Sequence, residues 1–286
     1  MIERGCHACL FAELRAGYAE REAAFAWQRQ QEIDRIVLVL SAVTCYQPDS
    51  RVILEGYVPC GYYILNKMTD GILLIDKPAE MTSFGVVARI RRVLTQAAGK
   101  KVKVGHTGTL DPFATGLMII VVGKECKNAG HYTKQDKVYE ATIRLGQTSS
   151  TGDPEGEITE VSDAQPSREA VEKTVAKFVG EIRQRPPIFS AIKINGQRAY
   201  KLARGGVEVE IPERTVTVHS LEITDYTYPE LKIRTHVSSG TYIRSLAADI
   251  GTGLGTGAYC TQLRRTSIAQ WDIKSAQTLV DFGITD

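Results

Sequence analysis

No apolar run near the N-terminus of this 286-residue chain approaches the roughly 20 residues a membrane-spanning helix needs. The longest there, IVLVLSAV at positions 36–43, falls far short. It follows RQQEIDR, whose charges sit too far from the chain start for a secretory signal, so a cytoplasmic protein is expected. Charge of one sign is also missing: 35 Lys and Arg stand against 33 Asp and Glu, for a net +2. Any surface for nucleic acid must therefore come from local clustering. Nucleotide loops are lacking too. There is no G-x-x-x-x-G-K-[ST], and GTGLGTG (251–257) follows a helical pattern instead of a strand and carries Thr256 where a dinucleotide loop needs glycine. No nucleotide cofactor is expected. Of the six cysteines, Cys6 and Cys9 in CHAC have a zinc-knuckle gap, but Cys45 and Cys60 form no second close pair. Free thiols and no metal site are the expectation.

What is present is an ordinary globular composition, 43% hydrophobic and 24% charged. The character of the chain changes near Met68. GILLID (71–76) reads as a buried strand, and Ser83 is placed to cap a helix whose apolar positions Val86, Val87, Ile90, Val93 and Leu94 recur at helical spacing. LMIIVVG (117–123) is a continuous apolar strand, and KVYEATIRLG (137–146) alternates. DPEG (153–156) reads as a turn. PSREAVEKTVAKFV (166–179) is a helix behind Ser167, VEVEI, RTVTVHSLEI and LKIRTHVSS are strands, and YIRSLAADIG is a helix stopped by Gly251. Strands and single helices mix without a strict βαβ rhythm, so an α+β fold around a mixed, largely antiparallel sheet flanked by helices is expected.

GHTGTLDPFATG (105–116) holds one carboxylate, Asp111, among glycines and threonines. Asp-Pro opens turns readily, the carboxylate accepting a bond from its own downstream backbone. The surroundings suggest more. Gly105, Gly108 and Gly116 remove side-chain bulk, so another molecule can approach closely, and Thr107 and Thr109 offer uncharged hydroxyls. A carboxylate held this way serves as acid, base or nucleophile.

The stretch GHTGTLDPFATGLMIIVVG closely resembles the catalytic loop of the tRNA pseudouridine synthase B (TruB) family. Further motifs of that family occur in order: GILLIDKPAEMTSF, KVYEATIRLGQTSSTGDPEGEI, QRPPIFSAIKINGQRAYKLAR, SSGTYIRSLAADIG and LRRTSIAQWDI. The resemblance implies the pseudouridine synthase fold and isomerisation of uridine 55 in the tRNA T-loop without a cofactor. It implies Asp111 as nucleophile and Arg244 as its cationic partner. It also places Tyr139 against the flipped base, Tyr242 and Leu263 in the pocket, and His106 in the gap left by the base. Lys77, Lys193, Arg204 and Arg264 are implied RNA contacts, with a tRNA T-stem-loop as partner of a monomer. A non-catalytic tRNA-binding or folding protein and a guide-dependent synthase of the archaeal and eukaryotic type are the alternatives.

The chain departs from the family pattern in three places. Glu80 stands where glycine is usual, so a turn that needs positive φ is expected to be reshaped. The C-terminal PUA-type domain is expected to be absent or vestigial. Residues 1–67 are expected to be an upstream extension, mis-assigned or disordered, before a catalytic domain at 68–286.

Overall fold

The computed structural model describes residues 68–190, 192–194, 197–198 and 211–285. They lie in the second of the two units into which the chain divides, Met1–Cys60 and Gly61–Asp286. The expected extension with its CHAC pair, Arg204 and most of VEVEI fall outside the described residues.

The chain opens with β1 (Gly71–Lys77), α1 (Ser83–Ala98), β2 (Val104–His106) and β3 (Thr115–Val122). A short helix α2 (Ala129–Thr133), then β4 (Lys137–Leu145), the hairpin β5 (Gln147–Ser149) and β6 (Ile158–Glu160), and α3 (Arg168–Val175) follow. The rest is β7 (Gly180–Gln184), a small hairpin β8 (Lys193–Ile194) and β9 (Gln197–Arg198), the long pair β10 (Arg214–Thr227) and β11 (Glu230–Val237), α4 (Ile243–Leu254), β12 (Ala258–Ile268) and β13 (Trp271–Asp272). The main sheet runs β1-β3-β12-β4-β11-β10-β7, with β2 on β3 and β13 on β12. Among the described strands only β12 and β3 run parallel, through Arg264 opposite Thr115 and Arg265 opposite Gly116. The sheet is thus mixed and largely antiparallel, with helices α3 and α4 packed together and α4 against β12 and β4.

The strands read as the alternation requires. Along β11, Leu231, Ile233, Thr235 and Val237 are buried while the residues between them are not. β3 is buried from Gly116 to Val122, as a strand covered on both faces must be. One face joins Val86, Val87, Ile90 and Leu94 of α1 in the main core; the other packs Leu117 and Ile119 against Ile268, Trp271 and Ile273.

Three local expectations change. The cap of α1 is Thr82, whose hydroxyl accepts from Gly85 N at 2.9 Å; Ser83 turns inward instead. Helix α4 passes Gly251 and ends at Gly255, φ 70°. A Cβ on Gly251 would lie 2.3 Å from Ala258 N, so that glycine lets the helix touch β12. Glu80 itself adopts the positive φ, 61°, that a glycine would supply without strain.

Candidate active site

The loop from Thr107 to Ala114, between β2 and β3, carries Asp111. It is held from several sides by side chains of the surrounding elements. Ser83 Oγ, buried at the start of α1, donates to Leu110 O (2.9 Å) and accepts from Leu110 N (2.8 Å). Lys77 Nζ, at the end of β1, donates to Pro112 O (3.1 Å), Pro78 O and Met81 O. The residues before and after Asp111 are therefore each fixed by a buried side chain. Arg265 of β12 donates from Nη2 to Gly108 O (3.1 Å) and from Nε to Leu117 O (2.7 Å). Ala114 N closes the turn on Asp111 O at 3.2 Å.

The small residues of the loop serve this packing more than an incoming molecule. A Cβ on Gly116, φ 107°, would sit 2.3 Å from Arg265 O, and one on Gly108 would face Arg265 Nη1 at 3.4 Å. Both glycines admit β12. Thr107 is buried with its hydroxyl on Ile119 O, whereas Thr109 is exposed.

Arg244 stands in the first turn of α4. Its Nε lies 3.0 Å from Asp111 Oδ2 but makes no directed hydrogen bond there, so the contact is an ion pair. Nη1 reaches Asp153 Oδ2 (2.8 Å) and Thr151 O (2.7 Å), and Nη2 reaches Phe189 O (2.8 Å). The guanidinium is 3% exposed and the Asp111 side chain 30%. A cation thus bridges two carboxylates, one sealed in and one open to the pocket. The turn that starts α4 is fixed in its turn by buried Gln184, which accepts from Tyr242 N (2.7 Å) and donates to Tyr242 O (3.0 Å).

Burial raises the Asp111 pKa above its ordinary 3.8. Arg244 and Lys77 pull it down, while Asp153 and Glu155 push it up, and the net is upward. Desolvation likewise lowers Lys77 to about 8, with Asp111 opposing that and Arg265 reinforcing it. Lys137, which bonds Thr133 O (3.1 Å) and Gln135 O (2.5 Å), is lowered to about 8 by burial and by Arg265.

A pocket of about 250 Å³ gathers Asp111, Lys137, Tyr139, Tyr242, Leu263 and Arg244. Pockets for drug-sized ligands run to about 300–1,000 Å³, so this one is small. A larger cleft of about 620 Å³, lined by Phe113, Thr115, Glu140, Lys232 and Arg264, contains no member of the Asp111–Arg244 pair. Convergent ionisable groups, not volume, mark the chemistry.

Five expected residues thus meet: Asp111, Tyr139, Tyr242, Arg244 and Leu263. His106 ends β2 opposite Ile120 and does not line the pocket. Lys77 is a correction. It is fully buried with its ammonium on three carbonyls, and so has no route to a phosphate. Arg264 makes a two-pronged contact with Asp76 (2.7 and 3.1 Å) yet keeps 40% of its side chain exposed. Lys193 lies on β8. Sequence reasoning missed Asp153, Gln184, Ser83 and Arg265. Asp153 had a signal, since it precedes a proline as Asp111 does.

Among the described residues no helix is long and apolar enough to cross a membrane. Residues 91–243 match the model of the TruB family pseudouridylate synthase N-terminal domain. The chain is 44% identical to tRNA pseudouridine synthase B of Azoarcus sp. (strain BH72) over 76% of its length and 70% of that protein's. It is 46% identical to the same enzyme of Thermobifida fusca (strain YX), over 74% of each. In Flavobacterium johnsoniae the identity is 45%, over 72% of this chain and 91% of that protein. Among solved structures, a Cbf5-Nop10-Gar1 complex superposes with a TM-score of 0.58 at 26% identity, covering 82% of this chain and 60% of that one. With its fold and these relatives in agreement, the chain belongs to the TruB family of pseudouridylate synthases.

Proposed function

We propose that this protein converts uridine 55 of the tRNA T-loop to pseudouridine, with Asp111 as nucleophile. The observation that carries the reading is the Asp111–Arg244 pair, 3.0 Å apart, at the floor of a pocket walled by Tyr139, Tyr242 and Leu263. The relatives named tRNA pseudouridine synthase B supply the substrate class. The reaction breaks the N1–C1′ bond and makes a C5–C1′ bond; N1 gains a proton and C5 loses one, so nothing is required from a cofactor. The target nucleotide leaves its stack at a cost of a few kcal/mol, which contact with the aromatic walls offsets. Asp111 acts as the carboxylate, which burial opposes and Arg244 favours. Lys193, Arg204 and the exposed part of Arg264 are assigned to the RNA backbone, where each contact adds salt-sensitive affinity.

Release of tritium from tRNA labelled at uracil C5 tests the reading. Asp111→Asn is expected to abolish release while tRNA binding persists. Turnover that survives in that variant refutes the assignment of Asp111, and wild-type protein that binds tRNA without releasing tritium makes it a binding protein.

A further inference from the structure

Outside the Asp111 pocket, three strands bring together residues that lie far apart in sequence. His219 stands at the bulge of β10 between Val218 and Ser220, and His236 on β11 faces Ser220 across the pair. On its other side His236 is opposite Val138 of β4, and Asp136 immediately precedes β4. One ligating atom from each residue lies within 4.8 Å of the other two. His219 Nε2 is 3.1 Å from Asp136 Oδ2. The imidazole rings are 4.6 Å apart, tilted by 43°.

These distances resemble the edges of a coordination sphere. Metal–ligand bonds of about 2.0–2.1 Å in a tetrahedron separate neighbouring ligand atoms by about 3.3 Å. The edge between Asp136 and His219 already fits at 3.1 Å, and the two edges to His236, at most 4.8 Å, must shorten by about 1.5 Å or less to match it. Two imidazoles with a single carboxylate favour Zn²⁺, Cu²⁺ or Ni²⁺ over Mg²⁺ or Ca²⁺, which take all-oxygen sets. We propose that Asp136, His219 and His236 form a surface site for Zn²⁺ or a divalent transition ion of similar softness, with the fourth position open to solvent. Such an ion would tie β4, β10 and β11 together at the end from which β4 leads to Tyr139 and β11 leads to Tyr242. It takes no part in the isomerisation.

The full chain, stripped of metal, is titrated with Zn²⁺ and with Co²⁺ beside the His219→Gln/His236→Gln double variant and Asp136→Asn. The wild type is expected to bind Zn²⁺ at least tenfold more tightly than either variant. Bound Co²⁺ should show weak visible bands without the near-ultraviolet thiolate transition that the CHAC pair would give, so the two possible sites read separately. Circular dichroism establishes that each variant is folded; should the double variant fail to fold, Asp136→Asn decides, because it keeps a neutral oxygen of the same shape. Unchanged zinc affinity in a folded variant, or a cobalt spectrum of thiolate character alone, overturns the proposal.

Discussion

Replacing Arg244 by glutamine removes one charge that serves two carboxylates. The guanidinium contacts Asp111 at 3.0 Å and Asp153 at 2.8 Å, and it also bonds the carbonyls of Thr151 and Phe189. At an effective dielectric near 20, unit charges about 3 Å apart attract by on the order of 5 kcal/mol before desolvation is charged against them. Asp153 is only 4% exposed, and deleting one partner of a buried pair costs about 3–5 kcal/mol, so the variant should be markedly less stable to urea. The sign of the catalytic effect follows from Asp111. Burial already raises its pKa, and Arg244 is the strongest influence pulling it down. Without that cation the carboxylate protonates more easily, and the acid limb of kcat/KM moves to higher pH. The rate on the plateau should fall by about 10²–10³, as when a charge-stabilising group is lost from an active site. Arg244→Lys separates charge from geometry. One ammonium keeps the positive charge but cannot reach two carboxylates and two carbonyls together, so its acid limb should return toward the wild type while the rate stays low. Tritium release measured from about pH 5 to 9 reads both quantities. An acid limb in Arg244→Gln that stays put, or moves down, would refute the electrostatic account of Asp111.

Further tests address the neighbouring parts of the site. Asp111→Asn should be more stable than wild type: a carboxylate with a raised folded pKa costs stability as pH rises from 3.8 through its folded value. The difference should be present at neutral pH and vanish below that window in paired urea melts. Ser83→Ala strips Leu110 of both bonds to Ser83 Oγ, which should cost about 1–3 kcal/mol. It should also lower kcat about tenfold or more by loosening the residue before Asp111, with KM for tRNA unchanged. Glu80→Gly relieves a left-handed conformation at φ 61° that costs an ordinary residue about 1–2 kcal/mol. After the entropy penalty of glycine, thermal melting should show a gain of about 0.5–1 kcal/mol.

Much of the sheet was legible because its signals are local. GILLID, LMIIVVG and KVYEATIRLG became β1, β3 and β4 within a residue or two, and Ser167 caps α3 as its position suggests, accepting from Ala170 N at 3.2 Å. Side-chain direction was not legible. Thr82 and Ser83 are both good caps, and only tertiary packing decides that Thr82 does the capping while Ser83 bonds a loop 27 residues away. Lys77 looked like a phosphate ligand for the same reason, since a lysine's sequence neighbours do not reveal that Pro78, Met81 and Pro112 will surround it with carbonyls. The cluster of Asp136, His219 and His236 is assembled by β10–β11 and β11–β4 pairing and leaves no spacing to detect.

The two Asp-Pro pairs show where reading by type of turn stops. Asp153 makes the turn that DPEG suggests, its Oδ1 accepting from Glu155 N at 3.1 Å and from Thr151 Oγ1, yet its Oδ2 holds Arg244 at 2.8 Å. Asp111 closes its turn through the backbone carbonyl alone, with Ala114 N donating at 3.2 Å. Its carboxylate is therefore left to the pocket and to Arg244 Nε. A turn aspartate becomes available for chemistry when the backbone takes over the turn, and here Ser83 and Lys77 hold that backbone on either side. The sealed Asp153 anchors the guanidinium so that Arg244 meets Asp111 from a fixed direction. The distinction between the anchoring and the reacting carboxylate thus lies in which oxygen satisfies the turn, a difference that two identical dipeptides in a sequence do not carry.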